Sequence, residues 1–314
     1  MITIKELIQL ILFLCYNEIG DSMNGVFLVD KEPGVTSRDV VNEIIKKTET
    51  NKVGHTGTLD PLATGVLAVC VGRATKLVDY LTSANKTYIA EVTLGIETDT
   101  LDLEGKVLKE VNVDYDDKEI EDAVLKMKGK YNQEVPIYSA IRVNGKKLYE
   151  YAREGLEVKL PTREVEIFDI KLLEPIVREN NKIIFSIECS VSKGTYIRSL
   201  VRDIASNLGT IGIMSKLRRI RQGNFKIEDC KSIDDIRIAD MVCIKDLLSD
   251  SFMAVADDIL KNDVLNGKII SNIYGRDEIV FIDSNDLVLA IYRTYDKDNS
   301  KLKPYIMIGG LKWH

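Results

Sequence analysis

The sequence predicts an α+β protein with a small, β-rich C-terminal domain. Three observations predict it. Strand-like and helix-like segments mix without the regular βαβ rhythm of a doubly wound sheet. Amphipathic helices with readable ends stand between strongly apolar strands. Past residue 263 the chain breaks into short strand-like runs. The 314 residues are 45% hydrophobic and 29% charged, a balance that excludes long disorder and supplies a large core.

The elements follow in order. Gly25 to Lys31 is a short apolar run and reads as a buried strand. Thr36-x-x-Asp39 is a capping box that opens a helix over 37–47, with Val40, Val41, Ile44 and Ile45 on one stripe. Residues 51–65 are loop by composition. An apolar strand over 66–71 and a short helix over 75–81 come next, then an alternating strand from Lys86 to Gly95. Residues 96–105 are a polar, acidic loop, and Lys118 to Tyr131 has helical spacing. Val143-Asn144-Gly145-Lys146 signals a hairpin with a type I′ turn. A helix from about Leu148 stops at Gly155. Strands over 163–174 and 182–191 join through Asn180-Asn181. Thr195 is positioned to cap a helix that buries Ile197, Leu200, Val201, Ile204 and Leu208 and ends at Gly209. Strands are expected near 264–271, 278–283, 287–295 and 304–309. The domain reading is an extension over 1–22, a catalytic domain over 23–245 and a β-rich domain over 246–314. The apolar stretch Ile8 to Cys15 is too short to span a bilayer, and no A-x-A-like cleavage site follows it.

Composition narrows the chemistry. Five scattered cysteines without a C-x-x-C, and two histidines, leave almost no material for a zinc site and suit reduced thiols in a cytosolic protein. There is no G-x-G-x-x-G, no P-loop and no H-E-x-x-H. An enzyme with this sequence is expected to run a redox-neutral reaction on side chains alone, without cofactor or metal. The net charge of -6 argues against a nucleic-acid partner. Charge is segregated, however. Ser192 to Lys226 holds eight bases and one acid, whereas 233–263 holds eight acids and three bases. The Debye length is about 8 Å at physiological salt, so a local basic patch keeps its field.

One loop stands out. Gly54 to Gly65 contains three glycines, the internal histidine His55 and Asp60 followed by Pro61, and runs straight into an apolar strand. Glycines let backbone approach a ligand, and the proline biases Asp60 toward an extended conformation. An isolated Asp-Pro is usually a turn initiator; twelve residues of this composition are not.

The stretch GHTGTLDPLATGVL closely resembles the catalytic motif of the TruB family of bacterial tRNA pseudouridine synthases. Gly25 to Lys31 with Pro33-Gly34-Val35-Thr36-Ser37, Lys86-Thr87-Tyr88, Thr98-Asp99-Thr100 and Tyr138-Ser139-Ala140 fall in the family's order. So do Gly145 to Tyr149, Lys193 to Arg198 and Leu217-Arg218-Arg219. The resemblance runs from Met23 to about residue 230, and more weakly into a PUA-like RNA-binding domain. It implies a pseudouridine-synthase fold: a mixed, largely antiparallel sheet flanked by helices.

It also implies isomerisation of uridine to pseudouridine at tRNA position 55, in the TΨC loop, after the base is flipped from its stack. Asp60 matches the nucleophile. A nucleophilic carboxylate must be ionised, and burial disfavours the charged form, so it needs a cation. Arg198 matches that partner, and Asp102 would position Arg198. Tyr88 matches an active-site tyrosine that would stack on the uracil and remove the final proton. Tyr196 and Leu217 match residues lining the uracil pocket. His55 would support the loop after flipping, and Lys31 belongs to the substrate-binding motif, although Glu32 separates it from Pro33 and weakens a specific role. Lys216, Arg218, Arg219 and Arg221 would contact phosphates. The expected partner is tRNA, with no membrane and no obligate protein partner, the protein a cytoplasmic monomer. Two other readings stay open here: a tRNA-folding chaperone with secondary catalysis, and a guide-RNA-dependent synthase.

Overall fold

The apolar runs near 25 and 66 become β1 (Gly25–Lys31) and β3 (Thr64–Val71), paired antiparallel from Gly25↔Val71 to Lys31↔Gly65. The computed structural model describes residues 23–309, so the expected extension over 1–22 lies outside the described residues. Alternate side chains of both strands enter different cores. Phe27, Val29, Leu67 and Val69 face one, and Val26, Leu28, Val66 and Ala68 the other. Burial on both faces explains continuous apolar runs where a half-exposed strand would alternate.

Around this pair stand β2 (Val53–His55), β4 (Lys86–Leu94), β7 (Gly129–Glu134), β10 (Thr162–Glu179), β11 (Lys182–Val191), β12 (Gly212–Gln222), β13 (Phe225–Lys226) and β14 (Val242–Cys243). They form one ten-stranded sheet of order β14-β1-β3-β12-β4-β11-β10-β7, with β2 beside β3 and β13 beside β12. The sheet is antiparallel except where β12 meets β3, a parallel contact limited to Arg218↔Thr64 and Arg219↔Gly65. Gly65, at φ +100°, permits that contact: a Cβ there would stand 2.2 Å from the Arg219 carbonyl oxygen. The catalytic-motif loop enters β3 at this junction.

Helices α1 (Ser37–Thr48), α3 (Asp117–Leu125) and α5 (Ile197–Asn207) bury apolar stripes in the first core, and α2 (Val78–Thr82) follows a 3-10 turn over Gly72–Leu77. The capping box at Thr36 and Asp39 forms, with the Thr36 hydroxyl accepting from the Asp39 N–H at 3.1 Å. In α5, Leu200, Val201 and Ile204 are fully enclosed, each contributing about 2 kcal/mol of apolar burial. Helix α4 (Leu148–Glu154) follows the expected hairpin of β8 (Arg142–Val143) and β9 (Lys146–Lys147), whose turn residues Asn144 and Gly145 both have positive φ.

Four expectations are corrected. The helix read over 118–131 ends at Leu125, because Gly129 at φ +110° starts β7 and pairing with β10 claims the rest. Met127 and Tyr131 still pack on the same core as Val124, which is why their spacing looked helical. The acidic loop over 96–105 is partly a hairpin, β5 (Ile96–Thr98) against β6 (Val107–Glu110). Thr195 does not cap α5: its hydroxyl donates to Ser192 O, and Tyr196 takes the N-cap position without a side-chain bond. Of the strand read over 264–271, Val264 and Leu265 end α7 (Asp258–Leu265), which Asp257 caps, a turn follows, and only Ile270–Ser271 are strand.

After α6 (Ile244–Leu247), β15 (Met253–Val255), β16 (Ile270–Ser271), β17 (Glu278–Ile282), β18 (Val288–Tyr295) and β19 (Asp298–Met307) form a second, five-stranded sheet. Its Val280, Ile282, Val288 and Ile291 share a core with β1, β3 and α2. The Tyr80 hydroxyl reaches across to Glu278 at 2.7 Å, and the Arg293 guanidinium lies 3.5 Å from the Tyr305 ring centroid. Cys70, Cys189 and Cys230 are free thiols.

Candidate active site

The loop between β2 and β3 is fastened at each end. Ser37 Oγ, at the start of α1, accepts from the Leu59 N–H at 2.9 Å and donates to Leu59 O at 3.1 Å. Pro61 O accepts from the Gly34 N–H at 3.0 Å and from Lys31 Nζ at 3.2 Å. The enclosed Gln222 amide donates to Thr56 O at 2.9 Å. Asp60 is left on a rigid bend with its carboxylate partly open to solvent.

That carboxylate faces a cleft of 390 Å³, a size suited to a small planar ligand. Tyr88 from β4, Leu217 from β12, and Tyr196 and Arg198 from the start of α5 line it with Asp60. Arg198 Nη2 lies 3.1 Å from Asp60 Oδ2, and its Nη1 3.5 Å from Asp102 Oδ2. The guanidinium is 8% exposed and also donates to Thr100 O at 2.9 Å and Tyr138 O at 3.1 Å. A cation at a helix N-terminus opposes the helix dipole; two carboxylates and two carbonyls compensate it. Asp102 is itself fixed, accepting from the Thr100 hydroxyl at 2.6 Å and the Glu104 N–H at 3.1 Å. The neighbouring Leu101 carbonyl accepts from the Met214 N–H of β12. Burial pushes the Tyr88 phenol up, and the Arg219 cation beside it pulls it partly back down.

The other sequence-derived residues separate. His55 does not line the cleft: its Nδ1 accepts from the Gly57 N–H at 3.3 Å, and burial, then Arg219 and Arg38, hold its pKa below the usual value. Lys31 is a correction. It is enclosed, and its ammonium is spent on the carbonyls of Glu32, Val35 and Pro61, so it supports the loop and is not presented to a ligand. Arg219 is a second correction. It is 1% exposed and cannot meet a phosphate, because the pleat of β12 turns it inward beside Leu217. Arg218 is half-buried and bound at both nitrogens to Asp30, 3.1 and 2.7 Å. Lys216 and Arg221 are exposed, the first paired with Glu91 at 2.9 Å.

Sequence reasoning gave no role to Tyr138, Ser139 or Tyr149, which complete the cleft wall. The signal was the Tyr138-Ser139-Ala140 motif, noted without a function. It also missed Gln133, whose amide accepts from the Tyr196 N–H at 2.8 Å and donates to Tyr196 O at 3.1 Å. That residue lies just past the segment misread as helix.

The chain is similar to known proteins over most of its length. Residues 45–197 match the TruB family pseudouridylate synthase N-terminal domain, and residues 198–258 the tRNA pseudouridylate synthase B C-terminal domain. The tRNA pseudouridine synthase B of Alkaliphilus oremlandii (strain OhILAs) is 40% identical over 295 residues, covering 90% of this chain and 97% of that one. The protein of the same name from Bacillus subtilis (strain 168) is 41% identical over 298 residues, covering 90% and 96%. Among solved structures, a chain of a Cbf5-Nop10-Gar1 complex superposes with a TM-score of 0.66 at 24% identity, covering 91% of this chain and 85% of that one. That likeness is one of fold.

Proposed function

The chain belongs to the TruB family and isomerises uridine to pseudouridine in tRNA, and we propose that the uridine is the one at position 55 of the TΨC loop and that Asp60 is the nucleophile. The observation that carries this reading is the Asp60–Arg198 contact of 3.1 Å at the mouth of a cleft walled by Tyr88, Tyr196 and Leu217. A flat apolar wall suits a flipped pyrimidine. The unstacking cost of a few kcal/mol is offset by stacking and by apolar contact inside the cleft.

The steps follow from these groups. Arg198 holds and aims Asp60 while the carboxylate attacks the flipped nucleotide. The glycosidic C–N bond breaks, the uracil turns between Tyr88 and Leu217, and C5 bonds to the ribose. The bond to Asp60 breaks and frees its carboxylate, the proton on C5 passes to the Tyr88 oxygen, the C5–H electron pair restores the C5=C6 double bond, and the released N1 takes up a proton. No electrons are gained or lost overall, so no redox partner enters the balance.

We divide the chain into a catalytic region, 23–245, and a PUA-like region, 246–314. Support comes from β14 at Val242–Cys243, the last strand of the large sheet in chain order, and β15 at Met253–Val255, the first of the second. The partner is tRNA, and the two exposed bases of β12 would meet its backbone. Arg221→Ala is expected to lower the slope of log binding constant against log salt by about 1, and Arg218→Ala by less, because Arg218 already serves Asp30. A salt titration of tRNA binding checks both.

The deciding experiment uses an unmodified tRNA transcript with tritium at C5 of its uracils. The protein should release a single equivalent of tritium, and none when U55 is replaced by cytidine. Undiminished release from the cytidine transcript would move the reaction to another uridine.

A further inference from the structure

Arg219 reads from the sequence as one of a run of phosphate-binding bases, yet it is among the largest fully enclosed side chains of the protein. Its guanidinium closes a three-way junction. Nε donates to Val66 O at 2.7 Å, and Nη2 donates to Gly57 O at 3.1 Å. These two carbonyls stand at either end of the loop that carries Asp60. Tyr88 stands at the strand position directly opposite, Arg219↔Tyr88, and its buried phenol lies beside this cation. The backbone is shaped for it: Gly57 has φ +137° and lies open toward Arg219 Nη1, and Gly65 lets β3 close on the Arg219 carbonyl.

A buried arginine is expensive unless it is paired. Here no carboxylate bonds it. Among the described residues its side-chain hydrogen bonds are to two carbonyls, and a phenol faces it from the opposite strand. An enclosed cation with no bonded carboxylate and a buried phenol directly opposite is matched to that phenol's anion, with which it would form a charge-assisted pair.

We propose that Arg219 is a positioning residue that ties the Asp60 loop to Tyr88 and stabilises the phenolate that removes the C5 proton. The inference rests on the acid/base role of Tyr88 proposed above. Burial alone opposes ionisation of Tyr88, and the Arg219 charge is the main influence acting the other way. Other groups also face this junction. Asp60 from the loop and Cys189 from β11 act on the phenol in the raising direction. Around Arg219 stand Lys86, whose ammonium is pressed down to about 8 chiefly by burial, with His55, Lys31 and Cys230. None of them replaces the fork, because Lys86 spends its donors on Thr82 O and Ala84 O.

The test compares wild type, Arg219→Gln, Arg219→Lys and Tyr88→Phe on tRNA carrying deuterium or tritium at C5 of uracil. Folding is checked by thermal melting and tRNA binding by titration. Arg219→Gln should slow release about 100-fold and move the rising limb of its pH profile to higher pH, since the phenolate loses its cation. Arg219→Lys should recover part of both. In each variant proton removal should become rate-limiting, so a primary isotope effect larger than wild type should emerge. If Arg219→Gln does not fold, the isotope effect and pH limb of Arg219→Lys carry the test. A slower rate with wild-type isotope effect and pH profile would make Arg219 a loop support only and overturn the inference. An unchanged rate would overturn it too. If Tyr88→Phe keeps the wild-type rate, the acid/base reading of Tyr88 has failed and the inference falls with it.

Discussion

Asp60→Asn is expected to cut tritium release from a tRNA transcript by at least about 10⁴-fold while leaving tRNA binding within a few-fold. The substitution preserves shape, since Pro61, Gly34, Ser37 and Lys31 hold the loop through backbone and not through the Asp60 carboxylate. What is lost is the carboxylate proposed as nucleophile, for which no neighbour substitutes. The other carboxylate on Arg198, Asp102, lies behind the cleft wall, enclosed and already bonded to Thr100 and Glu104. Single-turnover release and filter binding on the same preparation check the split. Release at the wild-type rate would mean that another group attacks, and binding lost with release would mean that Asp60 serves recognition.

Arg198→Met should be the most damaging substitution for stability and activity together. It leaves the buried Asp102 carboxylate facing an apolar group, and the carbonyls of Thr100 and Tyr138 without their donor. Breaking a buried pair in this way costs about 3 kcal/mol, read as a lowered denaturation midpoint at unchanged slope. Turnover should fall about 10³-fold, because Asp60 loses the charge that fixes and stabilises it. Asp60 is 39% exposed, so solvent screens its share, and most of the stability loss comes from Asp102. The double variant Arg198→Met/Asp102→Asn separates the effects: the neutral amide should restore much of the midpoint and none of the turnover. Recovery of turnover would show that Arg198 serves Asp102 alone.

Much of the fold was legible. The capping box at Thr36 and Asp39, the Asn144-Gly145 hairpin and the apolar stripe of α5 are local signals, and each formed where its residues demand. The misreadings share a cause. The helix expected through Tyr131 and the strand expected near residue 264 were assigned from spacing that core contact imposes on either kind of element. Pairing with β10 settled the first, and the Asp257 cap the second.

At the site the division is similar. Asp60, Arg198, Asp102, Tyr88, Tyr196 and Leu217 were all named from sequence, although more than a hundred residues separate the Asp60 loop from α5. Their types were readable because a carboxylate, a guanidinium and a phenol are chemically distinct and each lies in its own recognisable motif. Three neighbouring bases on β12, Arg218, Arg219 and Arg221, look alike in the sequence, and only the fold assigned them different fates. One is bound to Asp30, one is enclosed beneath the Asp60 loop, and one is exposed.

The sequence by itself thus determined the class of fold and the family and named residues that meet at the cleft, because periodicity, caps and motif composition are local. The tertiary structure alone decided which charges are spent inside the protein and which remain free for RNA. Burial and pairing are properties of neighbours that the chain brings together only when β12 closes against β3 and β4.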